Sequence, residues 1–386
     1  MGKYTFVFLL FFLLIYVCVD GAEPDVEAKA AILMEEGTGR VLWEKNAYEQ
    51  MPMASTTKIM TAVVALENGN LNDMVTVSKK AALSPKVKMN LSTGEEIKLE
   101  YLLYALMLQS YNDAAVAIAE HISGSVDEFC KLMTQKAIEI GAYNTKFETP
   151  SGLDANSHYS TAYDMALIAR YALNNKEFIR ITNTKNTNVD SNKRSYSLVN
   201  KNRLLSQMEG AKGVKTGFTG KAGHCFVGAV EKGDMGLISV VLGSGWGHNR
   251  NQKWIDTKEI LDFGFDEFKF RDIIEINSQA KEVGVNRAKV DSLQLIFDTG
   301  LNMPLSENEF SGIKVEIVAP GVVNAPIEKG QEIGIGKVYV NNKLEKEVFL
   351  VASQTIERHD LKTSLEKVLN SWFNLVGEGS VILPEF

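Results

Sequence analysis

The sequence predicts an α+β protein: an antiparallel sheet covered by helices, then a small all-β domain, then an amphipathic C-terminal helix. Three observations lead there. At 386 residues the chain is longer than one ordinary core requires, so two domains are expected. From Ala28 to Phe263 the apolar pattern reads strands, helices, then strands again, which assembles one sheet from both ends of the segment. After Phe270 the texture changes to short alternating runs separated by Gly, Pro and Asn turns.

Taken in order, Phe6 to Val19 is an almost unbroken apolar run behind Lys3, too short to span a bilayer and ending in small residues. Residues 1–21 are therefore expected to be a secretory leader, cut near Gly21 or Ala22, which makes the protein exported. Ala28 to Met34 and Arg40 to Glu44 flank Glu36-Gly37-Thr38-Gly39 as a hairpin. Ser55 opens a helix to Leu66, with Gly69 beyond its end. Four further helices are expected at Leu99–Leu108, Asp113–Ile122, Val126–Ile140 and Thr161–Leu173. Strands His224–Val230 and Met235–Leu242 form a second hairpin, and a helix follows at Asn251–Phe263. These elements fill a catalytic domain over 22–268 and leave an all-β domain over 269–358.

The tail, 359–386, differs from both. Leu361, Leu365, Val368, Leu369, Trp372, Phe373, Leu375 and Val376 fall within roughly 160° of arc at 100° per residue. Such a helix either packs on its own domain or lies in the plane of a membrane surface, with Trp372 and Phe373 at the headgroup boundary.

Composition closes off several functions. Forty-one Lys and Arg against 48 Asp and Glu give −7, with no basic stripe, so a nucleic-acid binder is disfavoured. Five scattered histidines, with no His-x-x-x-His or Cys-x-x-Cys pair, argue against a zinc enzyme or zinc finger. Cys130 and Cys225, the two cysteines beyond the leader, read as small buried residues and not as a disulfide framework.

The chemistry is carried by three short motifs in order: Ser55-Thr56-Thr57-Lys58, Ser110-Tyr111-Asn112 and Lys215-Thr216-Gly217. Taken singly each is a weak signal. Their joint placement is specific, at a helix start, between two helices, and just before a strand. A serine hydroxyl needs a nearby base, and positions i and i+3 of a helix share a face, so Lys58 can reach Ser55 Oγ. The helix N-terminus and a second cation at Lys215 favour a neutral amine on Lys58. Ser110 can pass a proton to a departing amine, and Asn112 can hold a substrate amide. Ser55 and Asn112 can equally be plain helix N-caps. Lys215 and Thr216 offer a carboxylate a cation and a hydroxyl, while Gly217 leaves room for an extended ligand. The backbone N–H groups of Ser55 and Phe218 can then form an oxyanion hole.

Three stretches resemble a bacterial serine-type D-alanyl-D-alanine carboxypeptidase, a low-molecular-mass penicillin-binding protein. They are Pro52-Met53-Ala54-Ser55-Thr56-Thr57-Lys58-Ile59-Met60-Thr61-Ala62, Tyr159-Ser160-Thr161-Ala162-Tyr163-Asp164-Met165-Ala166, and Lys215-Thr216-Gly217-Phe218-Thr219 with Ala222-Gly223. The resemblance implies a penicillin-recognising serine transferase fold (β-lactamase/transpeptidase-like). It implies removal of the terminal D-alanine from peptidoglycan stem pentapeptides at the outer face of the cytoplasmic membrane, with β-lactams as covalent inhibitors and no metal or organic cofactor. Ser55 becomes the acyl-ester nucleophile, Lys58 its base, Ser110 and Asn112 the loop motif, and Lys215 and Thr216 the carboxylate-binding strand. Arg250 falls where related enzymes use an arginine to hold that carboxylate, and the tail resembles the family's membrane-anchoring helix. The chain departs from some members in having Ser151 before Gly152-Leu153-Asp154 and Tyr111 in the second motif.

Three alternatives share these motifs. A class A β-lactamase needs Glu-x-x-Leu-Asn ahead of the strand motif, and Arg170-Tyr171-Ala172-Leu173-Asn174 lacks the acid. A non-catalytic muropeptide or β-lactam sensor would have lost a reactive residue, and none is missing. An endopeptidase or transpeptidase would differ only in the acceptor.

Overall fold

The computed structural model describes residues 22–245 and 249–359, together with Leu365, Val368, Leu369 and Trp372 of the tail. The expected leader and most of the expected tail helix lie outside the described residues. The described residues divide into two compact units, one within 1–34, 43–232 and 237–267, the other within 35–42, 233–236 and 268–386.

The first unit is built on a five-stranded sheet in the order Val41–Lys45, Ala30–Glu35, Met235–Ser244, Gly223–Lys232, Ala211–Thr219. The first and last parts of the segment thus meet in one sheet, as the apolar pattern predicts. Ala30–Met34 and Met235–Ser244 are buried along their whole lengths, which is why these strands read as continuous apolar runs and not as alternating ones. Ala211–Thr219 lies at the sheet edge and pairs antiparallel with Gly223–Lys232, Thr216 facing Phe226 and Phe218 facing His224. The third motif therefore sits inside a strand, not ahead of one. Glycines at 213 and 217 weaken the strand signal in the sequence while allowing close approach in the fold.

The helices start and stop on local chemistry. Ser125 caps Val126–Ile140 by accepting from Glu128 N, and Gly141 ends it at φ +92°. Thr161 caps Ala162–Leu173 by accepting from Asp164 N. The expected helix from Leu99 is regular only to Tyr104, then widens into a π-helical turn, Ala105–Gln109, that leaves Ser110 in the left-handed region at φ +66°. Two further elements are the helix Lys176–Asn183 and a hairpin of Asn186–Asp190 with Ser195–Val199. That hairpin buries one residue per strand, so it carries almost no apolar alternation to read.

One buried carboxylate joins the ends of this unit. Asp256 Oδ2 accepts from Ala28 N at 2.9 Å and Ser244 Oγ at 2.7 Å, while Oδ1 accepts from Gln252 Nε2 at 2.9 Å. The second unit is built on β-structure, as predicted, with a short helix at Glu307–Ser311. Its six-stranded sheet runs Ile313–Val318, Glu332–Val340, Lys343–Ala352, Ser292–Phe297, Gln279–Asn286, Val322–Asn324, antiparallel except at the last pair. Its core gathers Val283, Leu293, Leu295, Val338 and Leu350.

Asp256→Ala should cost about 3 kcal/mol, because it strands the buried Ala28 amide and Ser244 hydroxyl without an acceptor. Urea denaturation against the wild type checks this, and a loss below about 1 kcal/mol contradicts it.

Candidate active site

Ser55 sits in a short 3₁₀ turn, Ala54–Thr57, that runs directly into the helix Lys58–Asn68. Its hydroxyl makes no capping bond, so the N-cap reading of Ser55 fails. Asn112 likewise is the first residue of the helix Asn112–Ser123 and does not cap it. Both side chains instead converge on Lys58.

Lys58 is fully buried, and its Nζ lies 3.0 Å from Ser55 Oγ, 2.9 Å from Asn112 Oδ1 and 2.5 Å from Ser151 O. The amide orientation of Asn112 is fixed from its other end, where Nδ2 donates to Pro85 O at 3.2 Å and Lys86 O at 3.1 Å. Asn112 Oδ1 and Ser151 O can only accept. A neutral amine has two hydrogens for these two acceptors, which leaves its lone pair for the proton of Ser55. Burial holds Lys58 well below the usual lysine range, and the cations Lys215 and Lys201 push the same way against an opposing pull from Asp113.

Lys215 is 2 % exposed, and burial followed by the charge of Lys201 lowers it to about 7. It sits behind the cleft wall, its Nζ donating to Thr216 O at 3.0 Å, while Thr216 itself faces the cleft. The lysine thus acts on Lys58 through its field. Gly217 brings the edge strand against the Ser55 turn: a Cβ there would stand 3.0 Å from Ser55 N and 3.1 Å from Met53 O.

The cleft in front of these groups holds about 590 Å³. Ser55, Ser110, Asn112, Thr216, Gly217, Phe218 and Arg250 line it, so every expected site residue except the buried Lys58 and Lys215 reaches its surface. Lys86, Lys201, Arg203 and Lys253 also line it, with no Asp or Glu among the described lining residues. A wall of cations without acids suits an anionic ligand. Burial, with repulsion from Arg203 and Arg250, lowers Lys253 to about 8.

Several of these contributors escape sequence reasoning. Ser151 acts through a carbonyl oxygen, which every residue owns. Lys201 is placed by the hairpin that the apolar pattern does not reveal. Asn112 is 5 % exposed, its amide already engaged at both ends, so its first role is to hold Lys58 and the 85–87 segment together. Only the Ser-Gly-Leu-Asp stretch at 151–154 stands out in the sequence as a signal for the Lys58 acceptor.

Comparison with known proteins finds a family for each of the two matched regions. Residues 19–245 match the D-alanyl-D-alanine carboxypeptidase family (peptidase S11), and residues 268–358 match the C-terminal domain of penicillin-binding protein 5. The chain is 35 % identical over 353 residues to D-alanyl-D-alanine carboxypeptidase DacF of Bacillus subtilis, covering 90 % of each. It is 32 % identical to DacC of Escherichia coli over 367 residues, covering 86 % of this chain and 85 % of that one. The structure of penicillin-binding protein 5 from Haemophilus influenzae superposes with a TM-score of 0.72 at 29 % identity, covering 87 % of this chain and 99 % of that one.

Removing one of the cations that keep Lys58 neutral should raise its pKa. In Lys201→Gln the acid limb of Ser55 acylation by a β-lactam should therefore move to higher pH, since the reactive neutral amine appears later in the titration. The second-order acylation rate against pH reads this directly; an unmoved limb would remove Lys201 from the site's electrostatics.

Proposed function

This chain belongs to the D-alanyl-D-alanine carboxypeptidase family, and from that premise we propose how its residues carry the reaction and where it takes place. Ser55 Oγ attacks the carbonyl carbon of the penultimate D-alanine while Lys58 Nζ takes the hydroxyl proton. The tetrahedral oxyanion is held by the backbone N–H groups of Ser55 and Phe218. The C–N bond then breaks, the proton held by Lys58 passes by way of Ser110 to the leaving nitrogen, which restores the neutral amine, and free D-alanine departs. Water attacks the ester with Lys58 again as base, and the shortened stem peptide leaves.

The arrangement that carries this reading is the neutral-amine geometry of Lys58, with two fixed acceptors and a lone pair on Ser55. The terminal carboxylate of the substrate meets Thr216 and Arg250, with Lys215 beneath the strand supplying positive potential. Gly217 and Phe218 present the strand edge to the peptide backbone. A β-lactam enters the same way, its strained amide replacing the scissile bond and its carboxylate replacing the C-terminus. A β-lactamase reading is disfavoured by the cleft itself, because no described lining residue is a carboxylate able to activate a deacylating water.

The division into a leader over 1–21, a catalytic domain over 22–268, an all-β domain over 269–358 and a tail over 359–386 belongs to this proposal. So does export to the outer face of the cytoplasmic membrane. In the tail, Leu365, Val368, Leu369 and Trp372 are helical and between 48 % and 69 % exposed. An apolar stripe left exposed supports the in-plane anchor over packing on the protein.

Protein lacking residues 1–21 should release D-alanine from a peptide ending in D-Ala-D-Ala, and Ser55→Ala should abolish release, as followed with a D-amino-acid oxidase assay. Saturable binding without D-alanine would favour the sensor, and crosslinked products would favour transpeptidation. Deletion of Leu361–Phe386 should abolish flotation with liposomes; unchanged flotation would defeat the anchor.

A further inference from the structure

A chain of hydrogen bonds runs from a buried histidine to the peptide unit that carries Ser55 N, and the mechanism above does not use it. Glu148 N donates to His158 Nδ1 at 3.0 Å. A backbone N–H can only donate, so Nδ1 is the acceptor and the ring proton sits on Nε2. His158 Nε2 lies 2.9 Å from Thr57 Oγ1 and therefore donates to it. The Thr57 hydroxyl keeps its own proton for Ala54 O, 2.8 Å away. Every donor and acceptor in the chain has one direction only.

The end of this chain matters because of peptide geometry. In a planar trans peptide the carbonyl of one residue and the N–H of the next point in opposite directions. Holding Ala54 O on the protein side therefore aims Ser55 N–H at the cleft. Ala54 is at φ +49°, in the left-handed region that a residue with a Cβ enters at a cost, so this orientation needs support from outside the turn. Gly152 backs the same carbonyl: at φ +81°, a Cβ on it would stand 1.9 Å from Ala54 O and 2.8 Å from Thr57 Oγ1. The segment that brings Gly152 also brings Ser151 O to Lys58. His158 is buried beside Phe147, and burial lowers it to about 4, so it is neutral across the working range and keeps this tautomer.

We propose that His158 and Thr57 are positioning residues for the oxyanion hole, fixing and polarising the Ala54–Ser55 peptide so that Ser55 N–H points at the developing oxyanion. The proposal rests on the reading of Ser55 N as an oxyanion donor. Neither residue touches substrate. Successive donors polarise one another, so the His158 proton strengthens the Thr57 bond, which draws charge toward Ala54 O and leaves Ser55 N–H a better donor. Lys58 and its protonation are not part of this chain.

The test reads the hydrogen bond to the acyl carbonyl directly. Ser55 is acylated with a β-lactam carrying a ¹³C-labelled carbonyl, and the ester stretch is measured by isotope-edited infrared difference spectroscopy in wild type, Thr57→Val and His158→Leu. A weaker oxyanion hole raises the stretching frequency. Both variants should show an upward shift and an acylation rate lower by about tenfold or more, with the acid limb of the pH profile unmoved. Thr57→Ser and His158→Gln, which retain a hydroxyl and an N–H donor, should bring frequency and rate back toward wild type. A slowed variant with an unshifted carbonyl, or a moved acid limb, overturns the proposal. Should His158→Leu fail to fold, Thr57→Val removes the same link through one hydroxyl. Absence of any acyl-enzyme in the wild type would instead overturn the reading of Ser55 as nucleophile.

Discussion

The site depends on one constraint: an amine buried with two partners that can only accept hydrogen bonds. Charged lysine is costly to bury, and here burial and two neighbouring cations act in the same direction. Asn112 Oδ1 and Ser151 O consume the two hydrogens of the neutral form. The remaining lone pair is free to take the proton of the Ser55 hydroxyl, 3.0 Å away. Each of the three partners comes from a different part of the chain, so the amine is neutral and aimed only when the helix start, the 110–112 turn and the 148–158 segment are all in place.

The fold supplies that convergence by close backbone approach more than by side-chain bulk. The edge strand Ala211–Thr219 can lie against the turn Ala54–Thr57 because residue 217 has no Cβ to meet Ser55 N. The 148–158 segment can lie against its other side because residue 152 has none to meet Ala54 O. The turn is thus held between two glycines. Its strained φ at Ala54 is sustained by these contacts and by the Thr57 hydroxyl, a common way for an active site to store local strain.

Much of this was legible in the sequence, and the parts that were not share a cause. Spacing places Lys58 beside Ser55, because i and i+3 share a helical face whatever surrounds them. Continuous apolar runs locate the two buried strands, and alternation locates the second unit. Sequence reasoning loses Ser151, because its contribution is a carbonyl common to all residues. It also loses Lys201, delivered by a polar hairpin without apolar period, and the position of Lys215, whose burial beneath the strand depends on which face the edge strand turns inward. The N-cap readings of Ser55 and Asn112 fail for a related reason. Capping is the default for these residue types at helix starts, and only tertiary contact with Lys58 diverts them.

The cleft's charge pattern ties these features together. The chain as a whole is acidic at −7, yet the described lining of the cleft carries Lys86, Lys201, Arg203, Arg250 and Lys253 with no carboxylate. Whole-chain charge therefore says little about the potential a ligand meets. An acid-free lining raises the potential for an incoming carboxylate. One of these cations, Lys201, also lowers the proton affinity of Lys58, adding to burial and to the charge of Lys215 behind the wall. The lining also leaves no carboxylate among its described residues to act as a second base, so in the proposed mechanism the amine of Lys58 serves both attack by serine and attack by water. A carboxylate placed here to speed the second step would raise the pKa of Lys58 and weaken the first, which gives a physical reason for the two to be kept apart.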